Sequence, residues 1–295
     1  MNRKIDYKIN ENDTGKTVEG FLKERGYTHQ VLVRLKQTDH GILRNGIWAY
    51  TNERLCKDDL ITVQIVENEC SDNIAPVNLP LDIAYEDGDI IVINKPFDMP
   101  AHPSAGNHDN TLANALMYYY GSQNKPFVYR CINRLDRDTT GLTIVAKHAL
   151  AGGILGNAVA KRAIHRTYYA VCSGCTPACM RISAPIARKD ASTIERCVDF
   201  KRGENAVTDF IRIKYNPDNN LSLVKLRLLT GRTHQIRVHM KYIGFPLIGD
   251  FLYNPDYTYI SRQALHSGRL VFTHPVTGQK MNLISDIPSD MKSLF

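Results

Sequence analysis

Ten consecutive residues, Asn133-Arg134-Leu135-Asp136-Arg137-Asp138-Thr139-Thr140-Gly141-Leu142, hold most of what could do chemistry in this chain. The apolar run Leu142-Thr143-Ile144-Val145-Ala146 follows at once and reads as a strand, so the acid Asp136 sits in a loop anchored on a rigid element. A carboxylate in such a place can attack an electrophilic carbon, take up a proton, or merely cap a turn or pair with an arginine. Alone it favours the structural role. Asp138 reads as a local salt-bridge or turn residue rather than a second acid.

Two distant segments change that balance. Arg166-Thr167-Tyr168-Tyr169-Ala170-Val171 puts aromatic rings at the start of a strand, after Lys161, Arg162 and His165. Leu228-Leu229-Thr230-Gly231-Arg232-Thr233-His234-Gln235-Ile236-Arg237-Val238-His239-Met240 ends a strand at Thr-Gly and begins a helix. Ile236 and Met240 share one face of that helix; His234, Arg237 and Lys241 run along another. Arg232 and His234 suit either capping of the helix start or contact with a phosphate. His239, His266 and His274 lack metal-ligand spacing and read as structural.

The elements that must position these groups fall into two blocks. In residues 1–72, Val18, Phe21 and Leu22 recur at helical spacing, as do Val31, Leu32 and Leu35, with Arg34 and Lys36 on the other face. Asn45-Gly46 between apolar flanks signals a hairpin, and residues 58–66 read as a turn and a strand. Residues 73–80 are polar and proline-bearing, a linker. From residue 81 to 295, strands are expected at 90–95, 142–147, 168–173, 207–215 and 221–229, and helices at 111–120, 148–162 and 233–243. Strands outnumber helices and neighbour one another in sequence, which predicts an α+β fold with a large, mainly antiparallel mixed sheet.

Bulk properties narrow the function. The 295 residues carry a net charge of +7, and the excess is uneven: residues 1–72 hold 11 Lys/Arg against 12 Asp/Glu, the remainder 26 against 18. The surplus lies with the Asp136 loop, as suits capture of a polyanion. No apolar run approaches a membrane span, the first residues lack a secretory core, and seven cysteines without framework spacing suit a reducing compartment. A cytoplasmic protein without membrane contact is expected. Cys172, Cys175, Cys179 and Cys197 match paired zinc spacing only in part, and Cys172 falls on a strand, so no metal is expected.

Taken together, the three segments resemble the RluA-type family of RNA pseudouridine synthases. That family's central motif reads His-Arg-Leu-Asp-x-x-Thr-Ser-Gly-Leu; here Asn133 replaces His and Thr140 replaces Ser. Gly244-Phe245-Pro246-Leu247-Ile248-Gly249-Asp250, Tyr85-Glu86-Asp87 with Asn94-Lys95-Pro96, and Leu265-His266-Ser267 with Thr273-His274-Pro275 also look like the family's. The resemblance spans about residues 80–290, and the block in front is similar to an S4 RNA-binding module, although Asp58 stands where that module has Gly. It implies the pseudouridine synthase fold and a cofactor-free, metal-free isomerase, here a monomer, converting uridines of structured RNA, ribosomal more than transfer RNA. It implies Asp136 as catalytic acid, Arg237 as its ion-pair partner and Tyr168 as the ring on the uracil. Arg134, Arg232, His234, Arg34 and Lys36 become candidate RNA contacts, and Arg134 a candidate to fill the vacated base stack.

The reaction fits those residues on its own terms. Breaking a C–N glycosidic bond and rejoining the same uracil through carbon oxidises nothing and moves no phosphate. Glycosidases pair two carboxylates because they must also activate water; here water must be kept out. Whether the acid attacks the base, attacks the sugar or abstracts a sugar proton stays open. The competing functions are a non-catalytic RNA-binding protein on the same fold and an N-glycoside hydrolase.

Overall fold

The computed structural model describes residues 2–104, 106–190, 192 and 194–295. The first block builds its own sheet from β1 (Asn2–Lys8), β2 (Ile42–Arg44), β3 (Ile47–Trp48) and β4 (Leu60–Val66), in the order β1-β4-β2-β3. Helices α1 (Val18–Glu24) and α2 (His29–Gln37) cover it. Both start where a threonine side chain, Thr17 and Thr28, accepts a backbone N–H of the first turn. Val18, Phe21, Leu22, Leu32 and Leu35 form the core with Ile61 and Val63, as their spacing predicts. β1 escapes sequence reading because only Ile5 of its seven residues is buried; Arg3, Lys4, Asp6 and Lys8 carry the charges of an edge strand.

The second block is one branched sheet. It comprises β5 (Ile83–Glu86), β6 (Ile90–Lys95), β7 (Arg130–Cys131), β8 (Thr140–Ala146), β9 (His165–Ser173), β10 (Cys179–Ser183), β13 (Val207–Asn216), β14 (Leu221–Leu228), β15 (Leu265–Thr273) and β16 (Lys280–Ile284). The order is β10-β13-β14-β9-β15-β8-β6-β5, with β7 on β8 and β16 on β15; only β15 and β8 run parallel. A separate hairpin joins β11 (Ile186–Arg188) to β12 (Arg196–Val198). The expected mainly antiparallel mixed sheet is therefore observed. Helices α3 (Leu112–Gly121), α4 (Ala149–Ala160), α5 (Gln235–Tyr242) and the short α6 (Ser289–Lys292) flank it. Among the described residues, no helix is long and apolar enough to cross a membrane.

β8 is the centre. All seven of its residues are buried, with Ile144 and Ala146 in one core and Val145 in another. Its strand partners are β6, β7 and β15. Gly141 makes the parallel contact with β15 possible: its φ is +106°, and a Cβ there would lie 2.3 Å from the Ser267 carbonyl oxygen. No side chain fits that position.

The two blocks are packed together. α4 carries no charge and turns Leu150 into the core of the first block. Arg3 grips Asp89 through Nε and a terminal nitrogen at 2.7 and 3.1 Å, and His148 Nε2 meets the same carboxylate at 2.9 Å. Burial would raise the Asp89 carboxyl, but the His148 and Arg3 contacts hold it down to about 2. Asp87, Asp89 and His274 bring ligand atoms within 4.8 Å of one another. Their atoms already bond to each other, to Arg3, to His148 and to the Asp89 and Ile90 N–H groups, so the cluster is a docking hub.

Gly141→Ala should destabilise the protein by at least ~2 kcal/mol, read from the urea unfolding midpoint. An unchanged midpoint would show that the β8–β15 contact does not constrain this residue.

Candidate active site

The loop between β7 and β8 hangs from backbone contacts. Thr139 N–H donates to the Asp136 carbonyl at 3.1 Å, turning the chain, and the buried Lys95 Nζ donates to the Arg137 and Pro96 carbonyls at 2.8 and 2.7 Å. Burial drives Lys95 down to about 7, against the upward pull of Asp138 and Asp136. Asn133, the odd residue of the motif, is buried; its Oδ1 accepts the Ile144 N–H at 2.8 Å and its Nδ2 donates to the Leu142 carbonyl at 3.3 Å. The amide imitates a strand partner for β8, offering donor and acceptor side by side. Thr140 Oγ1 meets His266 Nδ1 at 2.8 Å, a bond that the hydroxyl of either serine or threonine can make.

Arg237 reaches this loop from α5, 101 residues away in sequence. A terminal nitrogen lies 2.9 Å from Asp136 Oδ2, while Nε and the other terminal nitrogen grip both oxygens of Asp250 at 2.7 Å each. Burial alone would lower the Arg237 guanidinium; the Asp250 hydrogen bonds and the Asp136 charge outweigh it and hold it above its ordinary range. The guanidinium also lies over the rings of Tyr253 and Phe251, at 5.0 and 5.3 Å. Arg237 and Asp250 are fully enclosed, whereas the Asp136 side chain keeps 30% of its exposure. The acid thus faces the cleft with its partner behind it.

His234 corrects a capping reading. It precedes α5 with φ +57° and makes no side-chain cap bond; Gln235 Oε1 takes the Arg232 N–H instead. That left-handed residue is why the helix starts at Gln235 and not at 233. The imidazole points at the acid: Nε2 is 3.8 Å from Asp136 Oδ2, and Nδ1 is 3.0 Å from the Tyr253 hydroxyl. Burial lowers its pKa, partly opposed by Asp136.

These groups open on a cleft of about 1130 Å³ that is also lined by Tyr168, Arg134, Arg166, Arg227 and Arg232. Of the described residues lining it, eight are arginines and Asp136 is the only carboxylate. Tyr168 lies on β9, buried in the core beside Leu135 and Ile236, and among the described residues no side chain or backbone group hydrogen-bonds its hydroxyl. Arg134 is exposed and has no carboxylate at ion-pair distance among the described residues; Arg232 pairs with Glu204. The two residues named from the first block part company. Arg34 pairs with Glu69 and lines a neighbouring cleft, whereas Lys36 pairs with Glu19 and lines neither. Cys172 is buried and Cys175 and Cys179 are exposed.

Sequence reading missed Asp250 as a member of this site. It was visible only as the last residue of the family-like segment Gly244–Asp250, thirteen residues beyond the arginine it holds, with no role attached. Lys95 was visible as part of a motif, but not as the anchor of the acid loop.

The fold that carries this cleft is shared with known pseudouridylate synthases. The chain is similar to the structure of human RNA pseudouridylate synthase domain containing 1, with a TM-score of 0.59 and 26% identity over 70% of this chain and 83% of that one. The family model for RNA pseudouridylate synthase matches residues 89–242. An uncharacterized RNA pseudouridine synthase of Bacillus subtilis, YjbO, is 38% identical over 95% of this chain and 98% of its own. The ribosomal large subunit pseudouridine synthase D of Haemophilus influenzae is 41% identical over 78% of this chain and 75% of its own. The chain belongs to the RNA pseudouridylate synthase family, in its RluA branch, and is an isomerase.

His266 supplies a pH test of the scaffold. Burial lowers its pKa from 6.5 to about 4, so between those values the unfolded chain holds a proton that the folded chain refuses. Stability should therefore fall as pH drops through that window. His266→Gln should flatten the fall, measured as urea midpoints at pH 7 and pH 5; an equally steep loss in the variant would assign it to other groups.

Proposed function

We propose that this enzyme isomerises uridines of large-subunit ribosomal RNA, with Asp136 as the catalytic acid and without cofactor or metal. The observation that carries the reading is the cleft lining: one carboxylate, backed by the buried guanidinium of Arg237, amid seven further arginines. The arginines suit a phosphodiester chain. A similar protein named a ribosomal large subunit pseudouridine synthase supports that class of RNA.

In this reading Arg237 keeps Asp136 ionised where loss of water would protonate it. Asp250 is a positioning residue, since it touches Arg237 and not the substrate. Tyr168, which lines the cleft, presents its ring to the uracil and its hydroxyl to the reacting atoms, and takes the C5 proton in the last step. The N1–C1′ bond breaks, a C5–C1′ bond forms, and the hydrogen of C5 is lost while N1 gains one. Reaching those atoms in a stacked nucleotide requires turning the base out, at a cost of a few kcal/mol. Arg134, exposed beside the acid, fills the vacated stack.

Asp136→Asn should abolish tritium release from 5-tritiated uridine in ribosomal RNA while leaving RNA affinity nearly intact. Residual turnover within about tenfold of wild type would refute the assignment. Release of free uracil by the wild-type enzyme would instead mark a hydrolase. Binding without either product would mark an RNA-binding protein. Arg134→Ala should slow turnover of a stem-loop but not of an unstructured strand carrying the same uridine; equal rates on both would remove Arg134 from base flipping.

A further inference from the structure

Beside the active-site cleft lies a second, of about 970 Å³, bounded by α2 of the first block and by α4 and β7 of the second. Cys131, Ile132 and Val159 line both, so the two clefts adjoin along a shared wall. We infer that this second cleft holds the sugar–phosphate backbone of the RNA strand running away from the target uridine, an inference that rests on the RNA reading above. No carboxylate is among the described residues that line it. Arg34 stands on its wall in an exposed pair with Glu69 at 3.2 Å, the kind of pair that exchanges readily for a phosphate. Arg130 on the floor is matched from behind by the buried Glu67, at 2.9 Å. Arg162, exposed and lining the first cleft beside Val159, adds a cation near the junction. Among the described residues that line the second cleft there is no Phe, Tyr or Trp, and His29 supplies its one aromatic ring, a lining that suits backbone more than a run of stacked bases.

The walls are held at a fixed spacing. Glu67, at the end of the first block, accepts the Ala149 N–H at the start of α4 at 2.7 Å as well as pairing with Arg130. Ile154 of α4 packs against the first block's core, and Arg3 clamps Asp89. The groove is therefore a preformed feature of two docked blocks, and RNA entering it need not order them.

Gly156 gives a handle on it. It lies inside α4 and lines the cleft, and an added Cβ meets no heavy atom within 4 Å. Replacing it keeps the helix and gains up to ~1 kcal/mol of helix propensity. Full-length protein carrying Gly156→Glu or Gly156→Lys should be titrated by fluorescence anisotropy with oligouridylates of about six and about twenty nucleotides. The wild type should bind the longer strand more tightly. Gly156→Glu should lose at least ~10-fold on the longer strand with a shallower salt dependence, and stay near wild type on the shorter; Gly156→Lys should lose nothing. Tritium release from 5-tritiated ribosomal RNA should show raised KM and unchanged kcat in Gly156→Glu. Equal binding of both lengths by the wild type, or indifference to the sign of charge at 156, overturns the proposal. A wild type that binds in this length-dependent way but releases no tritium defeats the catalytic reading and leaves the groove standing. One that releases tritium while Gly156→Glu behaves as wild type defeats the groove alone.

Discussion

The molecule is organised around one buried cation. Arg237 is enclosed between Asp136 and Asp250, and burying such a charge without full pairing costs several kcal/mol. The structure meets that demand with a two-point grip from Asp250, a third bond to Asp136 and two aromatic faces. The asymmetry is what matters for chemistry. Asp250 is wholly inside, so the guanidinium cannot drift, and Asp136 alone keeps access to the cleft. Everything that fixes α5 against the β7–β8 loop is therefore also fixing the acid.

The loop itself depends on three unlike devices that act on its backbone. Gly141 lets β8 lie against β15, Asn133 extends the β8 ladder with a side-chain amide, and Lys95 ties two carbonyls together from below. None of them needs to touch a substrate. They matter because a displacement of about 1 Å at a reacting group can cost a hundredfold in rate. A carboxylate on an unanchored loop would be present but badly placed.

The first block is held against the second by Arg3, Glu67 and the apolar α4, and its α2 forms one wall of the cleft that adjoins the acid's. α4 explains itself in this light: a helix with no charge and three glycines would be a poor choice on a solvent face, but it packs on the sheet side and the module side at once. Eight arginines of the second block line the acid's cleft, whereas the first block contributes shape more than charge.

The sequence by itself determined the local features: the acid loop, the apolar strand behind it, the two helices of the first block and the three segments that signal the family. These are set by spacing and residue type over a few positions, and so survive without a fold. It also placed Arg237 and Tyr168 as candidates, through a resemblance and not through any reading of distance. Weakly patterned pieces stayed invisible, such as β1 with its single buried residue and α5's delayed start at a left-handed His234. Only the tertiary structure decided that Asp250 holds Arg237, that Asn133 serves as a ladder partner, that His234 faces the acid and not the helix, and that Arg34 shares a groove with α4 while Lys36 does not. Each of these depends on residues of different elements or loops meeting at hydrogen-bond range or along one cleft, and such a meeting is a property of packing, which no local pattern encodes.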